Sequence, residues 1–130
     1  MRMSIPSRPT AVRRRRTLAH VVLRDLAETG HTTVPPWWEA EIEREFGGLD
    51  GFLAELSRQW WAAYAVHLDA LIELGAGDPG QAWADVAEQL PYLRRVLDAY
   101  AGEPALAEAE RRHCDVLRWT ARREARHAAA

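Results

Sequence analysis

Residues 49–74, LDGFLAELSRQWWAAYAVHLDALIEL, decide the fold. With residues about 100° apart around a helix, Leu49, Leu53, Leu56, Trp60, Tyr64, His67, Leu71 and Leu74 fall on one side. Trp61, Leu68 and Ile72 widen that apolar face. The polar strip of Glu55, Arg58, Asp69 and Glu73 is narrow. A helix this apolar is either central to its fold or covered by a partner.

The flanks carry the same period. Gly47-Gly48 precedes this helix, and the run Gly75 to Gly80 follows it with Asp78 placed as an N-cap and Pro79 at a first helical position. Beyond it, Trp83, Val86, Leu90, Leu93, Leu97 and Tyr100 alternate by three and four over about 79–101. That pattern predicts one helix, kinked at Pro91, whose ring points to solvent. Gly102 ends it. A last helix is expected from Pro104 to beyond Glu124. Leu106, Ala109, His113, Val116, Leu117 and Thr120 face inward, with Arg111, Arg118, Arg122 and Arg126 opposite.

Upstream, residues 37–46 form a short acidic helix carrying Glu39, Glu41, Glu43 and Glu45, opened by Pro36. A first helix is expected over 11–29. Its inner face is Leu18, Ala19, Val22, Leu23 and Leu26, and Gly30 is its stop. Residues 1–10, with two prolines, two serines and no periodicity, read as a flexible arm. No strand pattern occurs. The expectation is an all-α protein: an antiparallel four- to five-helix bundle, one domain over 11–127, with a flexible basic N-terminal arm. Leu56, Trp60, Leu90, Leu93, Leu97 and Leu117 are its expected core.

Charge is segregated along the chain. Residues 1–24 hold seven Arg and no acid, 25–110 hold seventeen acids and four Arg, and 111–130 hold six Arg and two acids. The net charge of −2 hides this polarity, and there is no lysine. In an up-and-down bundle the first and last helices are neighbours. Arg13, Arg14, Arg15 and Arg16 would then lie beside Arg118, Arg122 and Arg126. Such a cluster suits an anionic partner, either nucleic acid or an acidic protein surface. Two neutral outcomes compete with it. In one the run lies in the solvated arm, and in the other Glu39–Glu45 of the same chain neutralise it.

Leu18–Val34 resembles the first helix of TetR-type repressors. Pro35-Pro36-Trp37-Trp38 and an acidic helix follow, where that family requires a helix-turn-helix, so no function is carried over.

Two tryptophan doublets stand out. Neighbours on a helix point about 100° apart, so a doublet cannot serve one narrow seam. Trp60 belongs to the core stripe and Trp61 to its flank. Trp37, Trp38 and Trp61 are therefore candidates for an interface, with a homodimer as the expected assembly. The competing expectation is that the short second helix covers Trp61.

His67 and His113 each sit centrally on an apolar stripe, and Glu110-x-x-His113 has the spacing of carboxylate di-metal bundles. A metal- or haem-binding bundle with redox or oxygenase activity, built on His67, Glu110 and His113, is thus the rival reading. In the expected topology the two histidines differ in height by roughly 13 Å, too far for one metal. Hydrogen-bonded core histidines are the plainer account. Cys114, the lone cysteine, borders a stripe with no acid–base pair at catalytic spacing, and rules out an internal disulfide. There is no phosphate-binding loop, dinucleotide fingerprint or nucleophile elbow. No apolar run approaches the roughly 18 residues of a membrane span. The reading is a cytoplasmic, non-enzymatic interaction or regulatory protein with no cofactor and no membrane partner.

Overall fold

The computed structural model describes residues 8–115. Every regular element among them is helical. Helix α1 spans Arg8–Thr29, a single 3-10 turn spans Pro36–Trp38, and α2 spans Glu39–Phe46. Then come α3 at Leu49–Glu73, α4 at Pro79–Gln89 and α5 at Pro91–Ala99. A last helix, α6, is described over 104–115.

Helix α3 is the hub, in contact with α1, α2, α4 and α5. Its Leu53, Leu56 and Trp60 are almost wholly buried, as the apolar stripe requires, with Phe52 beside them, while Leu74 at the far end of that stripe is 81% exposed. α1 contributes Ala19, Val22 and Leu26, α4 contributes Ala82 and Val86, and α5 contributes Leu93, Val96 and Leu97. Removing each of the large side chains from water stabilises the fold by about 1.5–3 kcal/mol before conformational entropy is counted.

The corner between α2 and α3 depends on two glycines. Gly47 closes α2 in the left-handed region at φ 77°, donating its N–H to the Glu43 carbonyl at 2.9 Å. Gly51 lets the first turn of α3 pass against the end of α2, since a Cβ there would run into the Phe46 carbonyl. Asp78 caps α4 as its position predicts, accepting from the Gly80 N–H at 2.9 Å.

Three expectations change. First, α1 begins at Arg8, so residues 8–10 belong to a helix and not to an arm. The arginine run lies in its second and third turns, beyond the opening turn where the helix dipole would oppose it. Second, the chain between Pro79 and Ala99 is two helices and not one kinked helix. Leu90 leaves helical geometry at φ −125° and ψ 58°, and Pro91 opens a new helix at its first position. Third, this break turns Leu90 outward, 36% exposed, while Val96, outside the expected core, is fully buried. Leu56, Trp60, Leu93 and Leu97 are buried as expected; Leu117 lies outside the described residues. Among the described residues, no helix is long and apolar enough to cross a membrane.

Candidate functional site

Four consecutive arginines on a helix cannot share a face, because successive side chains step about 100° around the axis. The structure divides them accordingly. Arg14 and Arg15 turn toward α2. The Arg14 Nε lies 3.7 Å from a Glu45 carboxylate oxygen, and the Arg15 Nε donates to the Glu45 carbonyl at 3.0 Å. All four are exposed, Arg13 and Arg16 on the side away from Glu45. With His20 and Arg24 they follow the spacing i, i+3, i+7, i+11 and form a ridge along the solvent side of α1, about 16 Å long. Arg24 is held by Glu28 one turn later at 3.3 Å. His20 and Arg24 were legible from that spacing but were masked by the more conspicuous run.

The ridge separates two surface grooves. On one side Arg13, Arg14 and Arg44 meet Glu41 and Glu45 over Leu18, Val21 and Trp38. The acidic second helix thus offsets part of the arginine charge. On the other side Arg16, His20, Arg24 and Arg58 line a groove floored by Leu23, Ala62 and Tyr92, with no acidic residue in its lining. Arg58 is itself paired with Glu55 at 2.7 Å, and this hydrogen bond holds the Glu55 carboxyl below the usual range. Arg118, Arg122 and Arg126 lie outside the described residues.

The tryptophans separate into two groups. Trp61 is 6% exposed and is covered by α4 and α6. Trp83 meets it edge-on at 5.6 Å between ring centroids, and His113 stacks on it at 5.5 Å and 14°. It therefore offers no exposed anchor within one chain, and its cover is not the second helix. Trp37, 58% exposed, and the partly buried Trp38 both donate their indole N–H to the same Asp25 oxygen, at 3.0 and 2.6 Å. One carboxylate of α1 thus fastens the loop that enters α2. Asp25 went unnoticed in the sequence, although paired indoles near a helix need an acceptor.

These two bonds hold the Asp25 carboxyl below its ordinary 3.8. The folded value is depressed, so the contribution of this clasp is complete above pH 3.8 and is lost as the pH falls through the lowered value. At neutral pH, Asp25→Ala should raise amide exchange across residues 31–38 and shift indole emission, while far-ultraviolet circular dichroism keeps its helical shape. Unchanged exchange in that segment would show that the clasp does not hold the loop.

The residues of the rival metal reading are held apart. His67 faces Asp85 of α4 at 2.9 Å, Glu110 pairs with Arg94 at 3.3 Å, and His113 stacks on Trp61. Among the described residues, no three His, Cys, Asp or Glu side chains gather in a metal-binding group. Cys114 is a free, partly buried thiol.

Arg94 is the most enclosed cation in the described fold that sequence reading passed over. Its side chain is 11% exposed. The guanidinium lies 4.8 Å from the Trp60 ring centroid and 4.9 Å from that of Trp83, with Asp98 at 2.9 Å and Glu110 at 3.3 Å. Its Nη1 is buried without a hydrogen-bond partner, as are the Nε1 atoms of Trp60 and Trp61 and the Ser57 hydroxyl. The sequence signal was an arginine bordering the apolar stripe of α5, opposite a tryptophan-rich helix.

Compared with protein-family models, curated proteins and solved structures, the chain has no match.

Proposed function

We propose that this chain is a small non-enzymatic interaction protein of the cytoplasm, an antiparallel helical bundle that binds an anionic partner through the exposed ridge of α1. The observation that carries this reading is the ridge itself. Arg13, Arg16 and Arg24 are exposed on one helix face, Arg24 while paired with Glu28, and α1 has no acid before Asp25. Glu45 engages Arg14 and Arg15 instead. Guanidinium groups at this spacing suit a ligand presenting several anionic oxygens, and bind them bidentately. The separate engagements of His67, Glu110 and His113 give the redox reading no support.

The test is salt-dependent binding to short duplex DNA and to single-stranded RNA. A phosphate contact releases counterions, so log affinity should fall linearly with log salt. The triple variant Arg13→Ala, Arg16→Ala, Arg24→Ala should weaken binding irrespective of sequence and flatten the slope by about 0.9 per lost duplex contact. The Arg14→Ala, Arg15→Ala pair should do less, because Glu45 already occupies those side chains. An acidic protein partner would instead give no nucleic-acid affinity at low salt, with loss of a protein complex in the triple variant. A triple variant that loses neither refutes the ridge as a binding surface.

A further inference from the structure

One face of α3 remains uncovered along much of the helix. Arg58, Ala62, Val66, Asp69, Ala70 and Glu73 are all exposed, and they lie within about 120° of one another around the axis. Val66, midway along it, is 71% exposed. Ala62, Val66 and Ala70 thus form a narrow apolar line between charges of opposite sign at its two ends. The strip is polar in the electrical sense. At its N-terminal end, Arg58 and Ala62 open into the groove lined by Arg16, Arg24, Leu90 and Tyr92, whose lining has no acid, although Glu55 and Glu28 beside it pair with Arg58 and Arg24. At its C-terminal end stand Asp69 and Glu73. The separation from Arg58 to Glu73 is about 22 Å.

We propose that this face is where two copies of the chain pair, with their α3 helices antiparallel about a two-fold axis near Val66. The reversed copy brings Asp69 and Glu73 into the basic groove of the first, and the first returns the same contact. Parallel pairing would set base on base and acid on acid. The chain's own ends do not fit: residues 1–7 contain no acid, and 116–130 are strongly basic. A basic segment could answer only the acidic end, and an acidic one only the groove. A second copy of the chain answers both, and its contact is self-complementary, as two-fold interfaces must be. The pair belongs with weak, reversible associations. This deepens the expectation of a homodimer and moves it from Trp61, which is buried, to the outer face of α3.

Sedimentation equilibrium on the full chain at high micromolar concentration tests the pairing. The wild type should move between monomer and dimer mass with concentration. Val66→Glu should weaken association at least about tenfold, because it sets two unpaired carboxylates near the axis. Its exposed position leaves the fold intact, to be verified by circular dichroism. Glu73→Arg and Arg24→Glu should each weaken the dimer, and the double variant, which exchanges the charges, should regain it. A monomeric wild type, a species larger than a dimer, a Val66→Glu variant that still pairs, or a double variant no stronger than the singles would each overturn the proposal. Polyanion binding measured on Val66→Glu separates this proposal from the ridge reading: retained binding with lost pairing supports both surfaces, and lost binding with retained pairing overturns the α3 interface.

Discussion

Leu97→Ala should destabilise the protein by about 2–5 kcal/mol, through lost transfer energy and the cavity left behind. Leu97 is fully buried on α5, which packs against α1, α3 and α4, so several walls would have to close around the void. Domains of this size hold only about 5–15 kcal/mol in total, so the variant should lose a large share of its thermal stability. Leu90→Ala supplies the internal comparison. Leu90 is an identical side chain seven residues earlier, 36% exposed at the break between α4 and α5. It should cost less than about 1 kcal/mol. Chemical denaturation of both variants checks the pair. Equal losses would mean that α4 and α5 form one continuous seam after all.

The second large effect is expected at Arg94. Arg94→Ala removes the cation from between Trp60 and Trp83 and leaves the partly buried Glu110 without its partner. The loss should be on the order of 2–4 kcal/mol, combining two cation–π contacts, the packed stem and an abandoned carboxylate. Arg94→Met should be milder. Its apolar chain refills the slot between the indoles, and it removes an Nη1 that has no partner. Denaturation midpoints and near-ultraviolet circular dichroism report both, the latter through the indoles. A cost below about 0.5 kcal/mol for the alanine variant would mean that the cation contributes nothing between the rings.

The helical class and the centrality of α3 were legible because both follow from a period that needs no knowledge of neighbours. The α4–α5 break was not. A proline that kinks a helix and a proline that opens one look alike when the apolar phase runs through both, as it does from Val86 to Leu97. Only the backbone at Leu90 distinguishes them. Trp61 was misplaced for a different reason. Its covers, Trp83 and His113, are distant in sequence, and periodicity on one helix does not tell which neighbour closes over its flank. The arginine run showed that charge is concentrated on α1, and helical geometry then split it between Glu45 and the solvent. Arg94 and Asp25 stayed hidden because each looks like an ordinary surface charge until its tryptophan partners are placed.

The interruption at Leu90 bears on how the native state comes apart. An unbroken helix from Pro79 to Ala99 would open as a unit, each turn lending its neighbour hydrogen bonds. Here the backbone turns out of helical geometry at Leu90, between α4 and α5. α5 is held by Leu93, Val96 and Leu97, and α4 by the buried Ala82 and Val86 with Trp83 beside them. Segments with fewer buried contacts open at lower free energy than the whole. Transient release of α4 ahead of α5 would bare one side of Trp61 and separate His67 from Asp85 while the rest of the hub around α3 stays assembled.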